Sequence, residues 1–237
     1  MKRYLVSAAL CAALLLSAAA PASAWTMEKQ DLSDIDVTFD PAVDPANHSN
    51  EPSAWAVDEV EAAIAAGLVP ALTDSPRYTD AITREQFAEL VVQAVYELSG
   101  GAAFDYEKTS MVHFEDYNTE AIQRAASIGV VNGTGDGNFS PKLTTNREQI
   151  ASMIARAWFY LSDSTTDIAA PAPADDLSGY VDYATISDWA VDGVGTLVYN
   201  GLMRGTGDGS TLSPKDSCTV EQAILLCYRL YTTILAE

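Results

Sequence analysis

Positive charge is scarce in this chain. Thirteen Lys and Arg stand against thirty-three Asp and Glu, a formal net charge of −20 over 237 residues. A nucleic-acid binder needs a basic stripe to displace counterions from phosphates, and a protein docking on an anionic membrane surface needs one too. The charge balance argues against both. Histidine is nearly missing: His48 and His113 alone cannot assemble a multi-histidine zinc site. Only three cysteines occur, and beyond the first residues no apolar run is long enough to span a bilayer. What is present is a hydrophobic fraction of 48% against 19% charged residues, enough for a packed core.

The beginning of the chain reads as a targeting segment. Lys2 and Arg3 precede an apolar stretch from Leu5 to Leu16, and Ala22-Ser23-Ala24 supplies a small-x-small cleavage site. Cleavage after Ala24 would export the protein and remove Cys11. Cys218 and Cys227 remain; on one helix they would lie roughly 13 Å apart, too far for a disulfide. Cys227 falls in an apolar register and reads as a small core residue, and neither thiol has a histidine nearby to activate it.

Most of the remaining chain is one unit written three times. An aromatic residue is followed twelve positions later by glycine at Trp55 and Gly67, Tyr117 and Gly129, and Trp189 and Gly201. Helix-spaced apolar residues lie between: Val60, Ala63 and Ile64; Ile122, Ala125 and Ala126; Val194, Leu197 and Val198. The pattern predicts a short helix, N-capped by Ser53, Asp116 or Ser187, that stops at the glycine. A second helix opens on Thr83-Arg84-Glu85-Gln86, Asn146-Arg147-Glu148-Gln149 and Thr219-Val220-Glu221-Gln222, each a capping box. Behind the boxes run matching stripes at spacings of three and four: Phe87, Leu90, Val91, Ala94, Leu98; Ile150, Met153, Ile154, Ala157, Leu161; Ala223, Leu226, Cys227, Leu230, Ile234.

The connecting loop repeats as well. Gly133-Thr134-Gly135-Asp136-Gly137 through Phe139-Ser140-Pro141 matches Gly205-Thr206-Gly207-Asp208-Gly209 through Leu212-Ser213-Pro214, while the first copy has Val69 to Tyr78 instead. No Gly-Lys-Ser/Thr follows these glycines, against a nucleotide-phosphate loop. Alternating Asp/Asn ligands and a closing Glu are missing, against a calcium loop. Phe139 or Leu212 is expected to plug each loop onto the helices. A unit of about fifty residues cannot bury two amphipathic helices alone, so the three share one core. The expected fold is all-α, three helix-loop-helix repeats in a pseudo-threefold cluster. The divisions are 1–24 signal peptide, 25–52 acidic N-terminal segment, 53–99 first repeat, 100–113 linker, 114–161 second repeat, 162–184 linker and 185–237 third repeat.

The three copies, the aromatic-led first helix, the Gly-Thr-Gly-Asp-Gly-x-Phe-x-Pro loop and Ile82-Thr83-Arg84-Glu85-Gln86-Phe87-Ala88 together resemble S-layer homology (SLH) domains. Asn146-Arg147-Glu148-Gln149 is a near variant; Val220 departs by replacing the arginine. The resemblance implies a non-catalytic module, without a cofactor or metal, that holds exported proteins on the bacterial cell wall or surface. Its implied partner is an acidic, pyruvylated secondary cell-wall polysaccharide or a peptidoglycan-linked glycan. A scaffold role toward other envelope proteins is the alternative.

An acidic protein binding an acidic polymer needs local cationic pockets. Arg84 and Arg147 follow N-caps, where a guanidinium fork grips a carboxylate beside open helix amides. Gly133, Gly135, Gly205 and Gly207 add loop amides, and Trp55 and Trp189 offer sugar-stacking faces. Val220 cannot grip an anion, so the third groove is expected to be weak or structural, unless Arg204, just before the third loop, substitutes for the missing arginine. An enzyme built on paired carboxylates finds no specific support.

Overall fold

The computed structural model describes residues 51–101, 112–172 and 176–236. The expected leader, nearly all of the acidic segment and most of the first linker lie outside the described residues.

Six α-helices form among the described residues: α1 (Val57–Ala65), α2 (Arg84–Ser99), α3 (Glu120–Ser127), α4 (Arg147–Ser164), α5 (Val191–Tyr199) and α6 (Val220–Leu235). No strand joins them among the described residues; backbone pairing is confined to isolated bridges. The expected all-α fold is the observed one. Each long helix opens with a capping box: Thr83, Asn146 and Thr219 accept the backbone N–H of Gln86, Gln149 and Gln222, whose side chains reach back. Each short helix stops where Gly67, Gly129 and Gly201 take φ of 75°, a left-handed conformation that costs a residue with Cβ roughly 1–2 kcal/mol.

The apolar stripes of α2, α4 and α6 are buried almost throughout and meet one another at the centre. The short helices pack in exchange. α1 lies on α6, α3 on α2 and α5 on α4, so each repeat's first helix covers the long helix of the repeat before it. No repeat completes its core within itself. Ile64, expected on the apolar face of α1, is 48% exposed. The thiols of Cys218 and Cys227 are buried and unlinked. Burial pushes Cys218 up to about 12, with Arg147 pulling weakly the other way, so the thiolate needed for reactivity does not form at neutral pH.

The axis is closed by a triangle of backbone hydrogen bonds. The N–H of Ile82 donates to the Cys218 carbonyl (2.9 Å), that of Cys218 to Thr145 (3.0 Å), and that of Thr145 back to Ile82 (3.0 Å). The first amides of each long helix obey the same rotation. Arg84 and Glu85 donate to the carbonyls of Leu143 and Pro141, Arg147 and Glu148 to Asp216 and Pro214, and Val220 and Glu221 to Asp80 and Tyr78. The helix-entrance amides expected to face a ligand are therefore spent on the neighbouring repeat, because burying them unpaired would cost about as much as a lost hydrogen bond.

Side chains expected as caps serve elsewhere. Ser53 donates its N–H and Oγ–H to the carboxylate of Glu221, both at 2.8 Å. Ser187 does the same to Glu148 (2.9 and 3.0 Å), where Lys215 adds an ion pair at 2.6 Å. Asp116 accepts the N–H groups of Phe139 and Ser140 at 2.7 Å, and Asp182 accepts those of Leu212 and Ser213. Residues 176–184, within the second expected linker, thus brace the third repeat's loop, and Leu177 is buried. Thr119, not Asp116, caps α3.

The first repeat breaks this pattern. Glu85 occupies the register of Glu148 and Glu221, but Glu115 stands where they find serine. Among the described residues, Glu85 is 1% exposed and, in place of two serine donors, has only the Lys142 ammonium at 3.4 Å and the Tyr117 hydroxyl near it, neither in good hydrogen-bond geometry. Removing a buried, poorly paired charge is neutral or stabilising, whereas removing a satisfied one strands its donors. Glu85→Met should therefore leave the melting temperature unchanged or higher. Glu148→Met and Glu221→Met should each cost about 1–3 kcal/mol; equal losses at all three positions would refute the distinction.

Candidate functional site

Arg84 and Arg147 leave the N-caps of α2 and α4 pointing into the next repeat's loop. Nε of Arg84 donates to the Phe139 carbonyl (2.9 Å) and Nη2 to that of Asn132 (2.6 Å). Its guanidinium lies over the Phe139 ring at 4.7 Å, and Phe139 is itself fully buried. Burial lowers Arg84 to about 10, against the attraction of Asp116, so the side chain stays charged at neutral pH. Arg147 repeats the geometry on Leu212 (2.9 Å) and Arg204 (3.1 Å). Both arginines are buried and hold loop carbonyls through Nε and Nη2. These bonds make the two arginines inter-repeat brackets, and any role toward a ligand is confined to their remaining edge.

Loop geometry explains the glycines. Thr206 and Thr211 pair across the third loop, and a Cβ on Gly205 would meet the Gly209 carbonyl oxygen at 2.2 Å. The backbone amides of Gly205 and Gly207 take no partner among the described residues.

A groove of about 580 Å³ opens over this loop, lined by Trp55, Arg147, Arg204, Gly205, Gly207 and Arg229 among others. Five of the residues singled out in the sequence meet here: Arg147, Arg204, Gly205, Gly207 and Trp55. Trp55, which leads α1 from the first repeat, is 60% exposed. Arg84, Gly133 and Gly135 gather instead around the second loop, and Trp189 is half-buried against the core.

Sequence reasoning missed Arg229 and Arg156. Arg229 makes a bidentate pair with Glu59 (2.8 and 3.0 Å) and donates Nη1 to Leu202. Arg156 reaches the Val130 carbonyl, and Gln93 reaches that of Gly67. All three sit nine residues after the first residue of their helices, so superposing the copies would have revealed them. Arg204 is different. It is exposed, and its guanidinium has no hydrogen bond or ion pair among the described residues.

The first repeat lacks the parts of this groove. Val220 replaces the bracket arginine, Pro70 stands in register with Arg204, and Glu89 accepts the N–H and Oγ–H of Thr73 from its own loop (2.9 and 2.6 Å).

Residues 114–151 and 179–224 match the model of the S-layer homology domain. Two segments of the chain are thus S-layer homology domains by sequence. The two matched segments are the repeats with glycine loops; the first repeat shares their helix pair and register but not their loop. Over 105 residues the chain is 32% identical to an endoglucanase of Bacillus sp. (strain KSM-635), covering 43% of this chain and 11% of the relative. It is 28% identical over 107 residues to an amylopullulanase of Thermoanaerobacterium thermosulfurigenes, covering 42% and 6%. It is 31% identical over 97 residues to an uncharacterized cell wall amidase of Bacillus anthracis, covering 41% and 16%. The chain thus matches only a small part of these relatives. An S-layer homology domain is a non-catalytic anchoring module, and its presence implies attachment to the cell wall. No helix among the described residues is long and apolar enough to cross a membrane.

Proposed function

We propose that this protein is exported and attaches without catalysis to an acidic cell-wall polysaccharide, gripping its anionic substituent in the groove over the third repeat's loop. The observation that carries this reading is Arg204: an unpaired guanidinium beside an exposed Trp55 and two unspent loop amides, in a protein whose overall field repels anions. Arg147 and the loop amides supply fixed positive potential, Arg204 supplies a fork for a carboxylate such as a pyruvate ketal, and Trp55 a face for a pyranose. Glu59 keeps Arg229 occupied, which leaves Arg204 as the cation that a ligand engages.

Sedimentation with purified wall preparations tests this. Arg204→Ala should weaken binding by about tenfold or more, the worth of a charge-assisted hydrogen bond, with an unchanged melting curve. Added salt should weaken the wild type and close the gap between the two. Binding indifferent to Arg204 would remove the site.

A further inference from the structure

A second cleft, of about 380 Å³, lies between α3, α4 and α5 and is lined by Ile128, Asn132, Arg156, Phe159, Tyr160 and Asp163 among others. It shares only the register positions of Asn132 and Arg156 with Arg204 and Arg229 of the anion groove, and otherwise lies further toward the end of α4. Its chemistry differs. An amide replaces the exposed guanidinium, and Gly193 replaces Glu59 at the facing position of the short helix. Arg156 remains, with Asp163 as a carboxylate in the same lining, so the cleft carries no net charge. The side chains of Asn132 and Asp163 have no hydrogen-bond partner among the described residues. Phe159 and Tyr160 are half-buried, leaving part of each ring on the cleft wall.

We infer that this cleft binds an uncharged pyranose, a second sugar-reading site distinct from the anion groove. An aromatic wall takes the C–H face of a sugar ring, and a carboxylate acceptor with an amide donor and acceptor takes adjacent hydroxyls. An anionic sugar is disfavoured because Asp163 faces it. The inference rests on the wall-glycan reading for its biological ligand, but not for its test. Two unlike clefts on one rigid core would read two different units of one polymer, and linking two weak sites raises overall affinity without new contacts.

The test uses the full chain and two uncharged probes, N,N′-diacetylchitobiose and cellobiose, followed by NMR shift changes of backbone amides. At least one probe should bind, weakly, with a dissociation constant on the order of 1 mM. The shifts should centre on Gly129, Asn132 and Tyr160. The double variant Asn132→Ala/Asp163→Ala, which touches no internal bond, should weaken that binding about tenfold. Arg204→Ala should leave it unchanged while lowering wall sedimentation. Failure of both probes to bind, shifts centred elsewhere, or a double variant that binds like wild type would each overturn the cleft assignment. Absence of wall binding by the wild-type chain would overturn the proposed function and leave the cleft standing.

Discussion

Arg84→Ala is expected to lower the melting temperature by roughly 10 °C. The substitution strands the carbonyls of Phe139 and Asn132 and uncovers the Phe139 ring. One buried and one partly buried acceptor left without donors, at about 1–3 kcal/mol for a buried one and less for the other, sum to about 3 kcal/mol. In a domain of this size each kcal/mol shifts the midpoint by roughly 2–4 °C. Arg84→Lys keeps the charge but not the fork that spans two carbonyls, and should recover less than half of the loss. Thermal denaturation followed by circular dichroism reads both. A variant melting within a degree or two of wild type would mean that Arg84 is not a bracket. The same logic makes wall-binding losses in Arg84 or Arg147 variants ambiguous by themselves, and makes Arg204 the informative position.

Gly193→Ala should be nearly as damaging for a different reason. A Cβ there would sit 2.7 Å from the Ser152 Cα and 2.9 Å from its Oγ. Rotating Ser152 relieves the second contact but not the first, so α5 must lift from α4. Overpacking of this kind costs about 1–3 kcal/mol, a fall of roughly 5–10 °C. Gly179→Ala is the control, since its Cβ would meet nothing within 4 Å; equal melting of the two variants would disprove close approach as the cause.

Local signals in the sequence carried far. Capping boxes, heptad-like stripes and terminal glycines each depend on residues a few positions apart, and all three long helices begin where Thr83, Asn146 and Thr219 place them. Bonds between repeats were not legible in the same way. The carbonyls that hold Arg84 lie 48 and 55 residues along the chain, and Glu59 finds Arg229 at a separation of 170. Ser53 and Ser187 look like caps by type and position; their partners, Glu221 and Glu148, become visible only once the three copies are seen to rotate into one another. In the candidate site, Arg147, Gly205, Gly207 and Trp55 were picked out individually. Arg204 was noted for its neighbourhood, and its lack of any internal partner is a property of the folded molecule alone.

The triangle joining Ile82, Thr145 and Cys218 has a consequence for how such a protein can change in length. Stacked-repeat proteins gain or lose units at their open ends, and their outermost copies wear polar covers. Here the last copy hands its bonds to the first, so there is no outermost copy to trim or extend. Deleting one would bare two faces at once, and a fourth would find no vacant edge. Variation in such a molecule is therefore confined to the chemistry of its clefts, while the number of copies stays at three.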